Sequence, residues 1–476
     1  MRKLISFIFL LSSLSISVFS QTEVSGNQSG IWSYTDSPYF VVGDISVPVG
    51  TSLTIEPGVI VNFQGNYKLN VAGSLQAVGL ENDSIVFTTE DIATGWHGIR
   101  LLDSQNGSNF AFCRIEYGKT MAGEYPDEHG GGVMIMNSDA VFTDCTFSNN
   151  DATADDSGMG GAIYAFNTTS DTHFTHCYFL NNHAYGEGGA IKFSGDNGAV
   201  VERCRFFDNS VLYGGGAICL YGCYDTRINK SLFTGNTTSY ASGGVALIEG
   251  YSSRVVFANC TMIDNHASGG DGGGVNVVYS EASFTNCIIY DNPGAYSDDV
   301  YLDFGYAEIN YCNTVLPDGA EGSHNINVDA QFEDAANGNY HLMETSPCID
   351  AGIDSLTIST AFGDEVTTVD YDASEYVGSA PDMGSYEYGT VTGLVKTPQE
   401  DVISVYPNPT TGILRLKMDQ QQSIQNISIR DLIGKLIMAD TPIHNQTLDL
   451  SNLGKGTYLI KIRTNKHFFV KKIEIQ

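Results

Sequence analysis

The sequence of 476 residues is poor in positive charge, with 23 Lys and Arg residues against 55 Asp and Glu residues. The resulting net charge of −32 argues against nucleic acid as a partner, because phosphate groups demand a basic surface. Proline is also sparse, with 12 residues, while 42% of the residues are hydrophobic. That composition excludes a disordered chain, because too much apolar surface would remain in water.

Long apolar runs are lacking after the first 20 residues, so we expect no transmembrane segment in the mature chain, since a span needs about 18 such residues. At the N-terminus, Arg2 and Lys3 precede a short apolar stretch that ends near Val18 and Ser20, small residues suited to a cleavage site. These features predict a secretory signal peptide over residues 1–20. We therefore expect a protein that is secreted or displayed on the outer cell surface.

Internal repeats dominate the middle of the chain. A Gly-Gly-aliphatic motif starts at Gly131, Gly160, Gly188, Gly215, Gly243 and Gly273. Between its copies lies a second motif, aromatic or aliphatic-x-x-Cys-x-apolar-x-x-Asn, whose first copy contains Phe142, Cys145, Phe147 and Asn150. It recurs in six copies, and Ser231 replaces the cysteine in one of them. A repeat of 27 to 30 residues without helical periodicity predicts coils of a right-handed parallel β-helix, an all-β solenoid.

The second motif also predicts how each coil is built. The cysteine and the apolar residue two positions later point inward, as alternation along a strand requires. The three-residue step from the aromatic residue to the cysteine breaks this alternation and predicts a corner between two sheets. Asparagine tolerates the left-handed backbone of a tight turn, and stacked asparagine side chains can bond from coil to coil.

Seven of the ten cysteines belong to or extend this ladder: Cys113, Cys145, Cys177, Cys204, Cys260, Cys287 and Cys312. We expect them to be buried thiols, because the parallel Cβ vectors of stacked rungs fit disulfide geometry poorly. Cys219 and Cys223 lie outside the ladder and are the strongest candidates for a disulfide. Their spacing leaves open whether they form this disulfide.

Two further patterns carry family resemblances. Gly188-Gly189-Ala190-Ile191, together with the segment Phe179–Asn182, resembles the repeats of chlamydial polymorphic outer-membrane proteins. The whole region from about residue 40 to 315 is similar to a pectate-lyase-type β-helix. The segments 339–342, 346–352 and 382–388 resemble the tail of surface-anchored bacterial β-helix proteins, a resemblance that implies no catalytic role.

The last 75 or so residues resemble the type IX secretion sorting domain of the Bacteroidetes. The matching positions are Pro407, Asn408, Pro409, Gly412, Gly456, Tyr458 and Lys471. This resemblance implies a small Ig-like β-sandwich that guides translocation across the outer membrane, with the type IX machinery as a partner. A change in charge supports a boundary near residue 395, because residues 21–395 carry a net charge of −38 and residues 396–476 carry +4.

The predicted organisation therefore has five parts along the chain. They are a signal peptide (1–20), a parallel β-helix (21–317), an acidic extension or cap (318–390), a linker (391–402) and the sorting domain (403–476).

Basic residues in the β-helix region cluster on neighbouring rungs. His176, Arg203 and Lys230 each precede a ladder position, and Arg205 faces outward one step further along. One interpretation is a groove that neutralises a uronate carboxylate and abstracts its α-proton, as a polysaccharide lyase must. The other interpretation is structural, with the cations paired to nearby carboxylates.

Two other sets of residues suggest ligands. The tyrosines Tyr213, Tyr221 and Tyr251 lie on predicted loops, where aromatic faces stack on sugars or simply pack against loops. The carboxylates of Asp298, Asp299 and Asp303 offer oxygen ligands for Ca²⁺, or they form a solvated acidic face. Calcium is the one cofactor that the sequence suggests.

The fold alone does not determine the function, since a β-helix supports several unrelated activities. We expect a secreted or surface-displayed protein that binds glycans or another cell surface, in the manner of an adhesin. A polysaccharide lyase or hydrolase acting on an acidic glycan is the alternative, and a passive surface stalk is a third. The loop Lys119–His129 is the insertion long enough to overhang a groove.

Overall fold

The computed structural model describes residues 22–104, 107–123, 125–154, 156–251, 253–295, 299–361, 363–389, 403–406, 410, 412–418, 424–431, 436–438, 447–464 and 468–475. The predicted signal peptide and the predicted linker lie outside these residues. Within them the secondary structure is almost entirely β, with 3₁₀ turns at Tyr34–Asp36 and Ala335–Asn337. The predicted fold class is confirmed.

Parallel strands wind into coils whose sides form three long sheets and one short sheet. The first sheet contains the strands that follow the glycine motif: Leu69–Val71, Ile99–Leu102, Val133–Met136, Ile163–Phe166, Ile191–Ser194, Ile218–Tyr221, Ala246–Glu249, Val275–Val278 and Val300–Asp303. The second sheet contains Gly30–Trp32, Ser52–Ile55, Ser74–Val78, Ser108–Ala111, Ala140–Thr143, His173–Thr175, Val200–Glu202, Tyr224–Asn229, Arg254–Ala258, Glu281–Thr285 and Tyr306–Asn310.

The third sheet carries the ladder motif and contains Ile60–Phe63, Ile85–Thr89, Cys113–Glu116, Thr146–Ser148, Tyr178–Leu180, Arg205–Phe207, Leu232–Thr234, Thr261–Ile263 and Ile288–Tyr290. The short sheet contains Asp151–Ala152, His183–Ala184, Ser210–Val211, Thr237–Thr238 and His266–Ala267. At the N-terminal end, Thr22–Asn27 pairs with Tyr39–Val47, and this long strand joins the first and third sheets.

Strand register stacks equivalent residues over one another, as the repeats predict. Thr146 pairs with Tyr178, and Tyr178 pairs with Arg205, so the cysteines that precede them form one column. The column is fully buried, and most of its thiols donate to carbonyl oxygens of the neighbouring coil. The predicted corner lies just before it, where Asp144 and its equivalents have a positive φ, 53° at Asp144.

The buried asparagines form the predicted ladder, but they do not adopt the left-handed backbone that the sequence suggested. The residue before each one has the positive φ instead, such as Asn181 at 52° and Asp208 at 53°. The side chain of each ladder asparagine forms hydrogen bonds between coils instead of stabilising a turn. Asn182 donates through Nδ2 to Phe147 O at 3.0 Å and to Asn209 Oδ1 at 2.9 Å, and its own Oδ1 accepts from Asn150.

Two copies of the glycine motif require a correction of register. Strand pairing aligns Ala246 with Val275, so the first glycine equivalent to Gly243 is Gly272 and not Gly273. Strand pairing aligns Val133 with Ile163, so the first glycine equivalent to Gly160 is Gly130 and not Gly131. These first positions have positive φ, 62° at Gly130 and 66° at Gly160. The second glycine is required for close approach, since a Cβ at Gly189 would lie 2.1 Å from a carbonyl oxygen of the next coil.

The candidate pair Cys219 and Cys223, which the sequence left open, does not form a disulfide, since all ten cysteines are free thiols. Alternation along the strand explains why. Cys219 lies between the inward-facing Ile218 and Leu220 and therefore points away from the core, whereas Cys223 belongs to the core. The Sγ of Cys219 instead lies 3.1 Å from Lys192 Nζ.

Residues 332–389 fold back onto the outside of the second and third sheets. They contain two antiparallel hairpins, Phe332–Asp334 with Asn339–Leu342 and Ser355–Ser359 with Glu365–Asp370. Outward-facing apolar residues of the coils are buried beneath them, including Val256 under Ile358 and Val366, and Leu232 and Ile263 under Tyr340. Asp364 also accepts a hydrogen bond from Arg254 Nη1 at 3.1 Å. The acidic extension therefore covers this side of the solenoid.

The C-terminal strands form two antiparallel sheets. The first contains Ile403–Tyr406, Ile413–Met418 and Thr447–Asp449, and the second contains Ile424–Asp431, Leu436–Met438, Gly456–Thr464 and Phe468–Ile475. Residues of both sheets share one hydrophobic cluster, with Leu414 and Leu416 from the first and Ile427 and Ile460 from the second. This arrangement fits the small β domain that the sequence implies.

Replacing a ladder asparagine tests whether this side chain holds the coils together. In Asn209→Ala, the backbone N–H and Nδ2 of Asn182 lose their shared acceptor inside a dry core. We expect the free energy of unfolding to fall by about 3 kcal/mol, measured by urea denaturation. The exposed Asn197→Ala is the matched control and should change it by less than about 0.5 kcal/mol. Equal effects of the two variants would contradict the ladder's role.

Melting with and without a reductant tests whether the thiols are free. Because the cysteines are unpaired, the melting temperature of the protein should be the same with and without dithiothreitol, and alkylation after denaturation should label all ten. Fewer than ten labelled thiols in the unreduced, freshly secreted protein would mean that a disulfide forms after all.

Arg254 links the hairpin Ser355–Asp370 to the solenoid. Its guanidinium is nearly buried and bonds both Asp225 and Asp364. We expect Arg254→Ala to raise hydrogen exchange in residues 355–370 at least tenfold, because charge-assisted bonds of about 1.5–3 kcal/mol are lost. Arg114→Ala removes a half-exposed ion pair with Glu116 far from the hairpin and is the control. Unchanged exchange in Arg254→Ala would show that the apolar contacts alone hold the hairpin.

Candidate functional site

The outer face of the first sheet carries an unusual column of side chains. Tyr164, Lys192, Cys219 and Leu247 pair in register on four successive coils and alternate with core residues, so they point away from the interior. All four are nevertheless buried. A column that faces outward but is shielded from water, and that contains a lysine, is a candidate functional site.

Lys192 lies at the centre of a cluster of ionisable groups. Only 4% of its side chain is exposed, and its ammonium forms a tight ion pair with Glu187. Glu249 lies 3.7 Å from Nζ, and the thiol of Cys219 lies 3.1 Å away. The ring centroid of Tyr221, on the exposed side, is 5.2 Å from Nζ, within cation–π range.

Three groups of this cluster have a shifted pKa, and the causes differ. Burial alone disfavours the ammonium, but Cys219, Glu187 and Glu249 outweigh it and raise the pKa of Lys192. Burial, reinforced by the charge of Glu187, raises the pKa of Glu249 to about 7. Burial also raises the pKa of Cys219, so this thiol stays protonated at neutral pH. The cluster therefore contains a fixed cation and a carboxyl group that titrates near neutrality.

Three residues of this cluster also have the spacing of metal ligands. One ligand atom from each of Glu187, Cys219 and Glu249 lies within 4.8 Å of the other two. The ammonium of Lys192 contacts these atoms, so a metal ion would have to displace a buried lysine and deprotonate a buried thiol. The arrangement is that of an ion-paired cluster rather than a metal centre.

Exposed aromatic rings border this face on both sides. On loops that lead into the first sheet, the rings of Tyr185, Tyr213 and Tyr240 follow one another with centroids 5.7 and 6.2 Å apart; we name them the entry file. On the turns that leave the sheet, Tyr251, Tyr279 and Phe304 lie 5.5 and 5.2 Å apart; we name them the exit file. Tyr240, Tyr251 and Phe304 are 68%, 83% and 79% exposed.

The predicted sugar-binding tyrosines all belong to this face. Tyr213 is the middle ring of the entry file, Tyr251 begins the exit file, and Tyr221 lies over Lys192. Tyr213 and Tyr251 lie on loops as predicted, but Tyr221 ends the strand Ile218–Tyr221. The arrangement of the aromatic rings in two files on either side of one sheet was not predicted.

The loop Lys119–His129 covers the N-terminal part of the same face. His129 stacks on Tyr164 with centroids 4.6 Å apart, and its backbone carbonyl accepts from Arg100 Nη1 at 2.9 Å. Burial lowers the pKa of His129 to about 4, so the imidazole is neutral. The insertion that we expected to overhang a groove therefore packs closely on the first sheet.

The residues proposed for lyase chemistry lie elsewhere, at the corner between the second and third sheets. The guanidinium of Arg205 lies between the rings of Tyr178 and Tyr386, at 5.3 and 5.6 Å. Lys230 lies 4.2 Å from the Tyr371 ring and 3.8 Å from Glu375. Most of these partners belong to the extension, so it occupies the surface on which a uronate would have to bind.

The other two members of that set are closer to solvent. Arg203 is half exposed and lies 3.3 Å from its neighbour Glu202, and His176 is exposed at the same type of corner. Both have positive φ, 52° and 54°, because the ladder corner requires a left-handed residue there. This placement favours the structural interpretation of the cations.

The acidic residues suggested for calcium are dispersed. Asp298 lies outside the described residues. Asp299 is buried and caps the asparagine ladder, since its Oδ1 accepts from the backbone N–H and Nδ2 of Asn292 at 3.2 and 3.0 Å. Asp303 ends the last strand of the first sheet. Calcium binding stays a prediction.

The predicted sorting residues lie in the C-terminal strands where they are described. Gly412 has a φ of 121°, and a Cβ there would lie 2.8 Å from Ser451. Gly456 and Tyr458 are on the strand Gly456–Thr464, and Lys471 is on Phe468–Ile475. Pro407, Asn408 and Pro409 lie outside the described residues.

Sequence reasoning missed Glu187, Cys219 and Glu249 as members of one site. A signal existed for one of them: Cys219 follows Gly-Gly-Ala-Ile as Lys192 does, so aligning the glycine motifs places these two residues on neighbouring rungs. Glu187 and Glu249 come from two coils and from opposite ends of the strands, and no motif links them.

Comparisons with known proteins agree with this architecture. Residues 162–301 match the right-handed β-helix region, and residues 144–165 match the repeat of the chlamydial polymorphic membrane proteins. Residues 404–476 match the secretion system C-terminal sorting domain. A segment of 96 residues, 18% of this chain, is 35% identical to the protein bark beetle of Drosophila melanogaster. That segment represents 3% of the length of this relative.

The described residues contain no helix with the length and apolar character of a membrane span. The matches confirm the resemblances to a right-handed β-helix, to the chlamydial repeats and to the type IX sorting domain, which indicates the export route. The resemblance of segments 339–342, 346–352 and 382–388 to a surface-anchored tail stays a prediction. The chain is thus a right-handed parallel β-helix protein with a C-terminal type IX sorting domain, exported to the cell surface or secreted.

Proposed function

We propose that this exported protein binds a glycan chain along the outer face of the first sheet. The observation that carries the proposal is the pair of aromatic files, because three rings on each side follow the axis of the solenoid and all of them except the half-buried Tyr185 are exposed. Their centroid spacings of 5.2 to 6.2 Å suit successive sugar rings of one linear chain.

Packing inside the protein does not explain why these rings are exposed, whereas a bound ligand would. Tyrosine presents an apolar face and a polar tip, which suits a sugar with its apolar ring face and its hydroxyl groups. Contiguous exposed aromatic surface is unfavourable in water unless a partner covers it. Contacts between neighbouring rings stabilise the coils, but a passive stalk does not require the outer parts of these rings to stay in water.

The charge of the face favours an uncharged glycan over the acidic one that the sequence suggested. Lys192 is already paired with Glu187, and at the other corner the extension contacts Arg205 and Lys230. A net charge of −38 over residues 21–395 repels a polyanion. These contacts weigh against a uronate lyase.

Single replacements in the entry file test the proposal. We expect Tyr213→Ala and Tyr240→Ala to weaken binding of soluble β-glucan, xylan or galactomannan about tenfold, because each removes one stacking surface of about 1 kcal/mol. Affinity electrophoresis and calorimetry measure the effect. Tyr34→Ala, which removes a tyrosine 58% exposed near the N-terminal end, is the control. The proposal fails if the wild-type protein binds none of these polymers, or if Tyr34→Ala weakens binding equally.

A further inference from the structure

We propose that Glu187, Lys192 and Glu249, which we name the latch, make the glycan-binding face sensitive to pH. The latch holds the ring of Tyr221 in place below neutral pH and releases it above neutral pH. This inference rests on the proposed function, because it concerns the affinity of the first sheet for a sugar chain. It adds to that face a means of regulation that depends on one proton.

The latch joins three successive coils of the solenoid. Glu187 and Lys192 belong to one coil, Cys219 and Tyr221 belong to the next, and Glu249 belongs to the third. The ammonium of Lys192 forms its tight ion pair with Glu187 and lies 3.7 Å from a carboxyl oxygen of Glu249. The Sγ of Cys219 lies 3.7 Å from Glu187 and 3.9 Å from Glu249, so both carboxyl groups meet at this buried thiol.

The two carboxyl groups of the latch share one proton. Their side chains are hydrogen-bonded to each other, and this bond requires one carboxyl group to be protonated, because ionised carboxylates only accept. Lys192 pairs tightly with Glu187, so the proton belongs to Glu249. Burial and the charge of Glu187 raise the pKa of Glu249 from 4.5 to about 7. The other groups that face it are the Lys192 ammonium and the neutral thiol of Cys219.

Tyr221 connects the latch to the surface on which we place the glycan. Its backbone pairs in register with Glu249 on the next coil, and its ring centroid lies 5.2 Å from Nζ of Lys192. The ring is 51% exposed, whereas the side chain of Lys192 is 4% exposed. The ammonium therefore holds the inner side of the ring by a cation–π contact and leaves the outer side free for a sugar.

Loss of the shared proton changes these contacts. Two ionised carboxylates in contact repel each other, and the single ammonium of Lys192 cannot pair fully with both. Glu249 then competes with Glu187 for this ammonium and draws it away from the ring of Tyr221. A glycan that binds above neutral pH must order a ring that is no longer held, so its affinity falls. By linkage, a bound glycan favours the protonated latch.

The same proton makes the stability of the protein depend on pH. A carboxyl group whose pKa is higher in the folded chain stabilises that chain at low pH, and this contribution is lost as the pH rises from 4.5 through about 7. Glu249→Gln keeps a hydrogen-bond donor for Glu187 and cannot ionise. Its melting temperature relative to the wild-type protein should therefore be higher by about 2 °C at roughly pH 8.5 than at roughly pH 5.

The experiment uses the full exported chain at these two pH values and measures melting without ligand and binding of β-glucan, xylan and galactomannan by calorimetry. We expect the affinity of the wild-type protein for a polymer that it binds to be about threefold lower at the higher pH, because one cation–π contact is lost. Glu249→Gln should bind that polymer equally at both pH values. Glu344→Gln, which removes an exposed carboxyl group of the extension, is the matched control and should behave as the wild-type protein does.

The two measurements separate this inference from the proposed function. Binding of a polymer with the same affinity at both pH values overturns the inference and leaves the proposed function intact. A Glu249→Gln variant that keeps the wild-type dependence of affinity or of melting on pH also overturns it, since the proton would then belong to another group. Absence of binding to all three polymers at both pH values overturns both.

Discussion

The asparagine ladder is the constraint on which the rest of this structure depends. Each of these buried side chains bonds the next member of the ladder and the backbone of the coil before it, so the six coils that carry the ladder must stack in one register. Fixed register is what turns a repeated sequence into straight columns of side chains. The same stacking places Tyr185, Tyr213 and Tyr240 in one file on the outside.

The periodicity of the sequence predicted most of the fold, because each position of the motif meets the same physical requirement in every repeat. The inward cysteine and the corner before it could both be predicted. The left-handed residue was assigned one position too late, to Asn182 instead of Asn181. Spacing reveals where a turn is, but the hydrogen bonds of the ladder side chain decide which residue adopts the unusual φ.

The candidate site was harder to predict because its members converge from different coils and because contacts distant in sequence decide exposure. Arg205 and Lys230 looked like a free cationic face, yet Tyr386, Tyr371 and Glu375, more than 140 residues later, cover them. The apolar residues beside them, such as Leu232, explain the cover, since an outward-facing leucine on a strand needs a partner.

The two outer sides of the solenoid thus differ in a way that bears on function. One side is apolar and cationic, and the chain covers it with its own acidic extension, which adds buried surface at no cost of association. The other side keeps stacked tyrosines in water and holds two carboxylates against a buried lysine, an arrangement that costs desolvation energy without filling the core. Because stability alone would not retain such a face, a ligand on the exported protein is its most economical explanation.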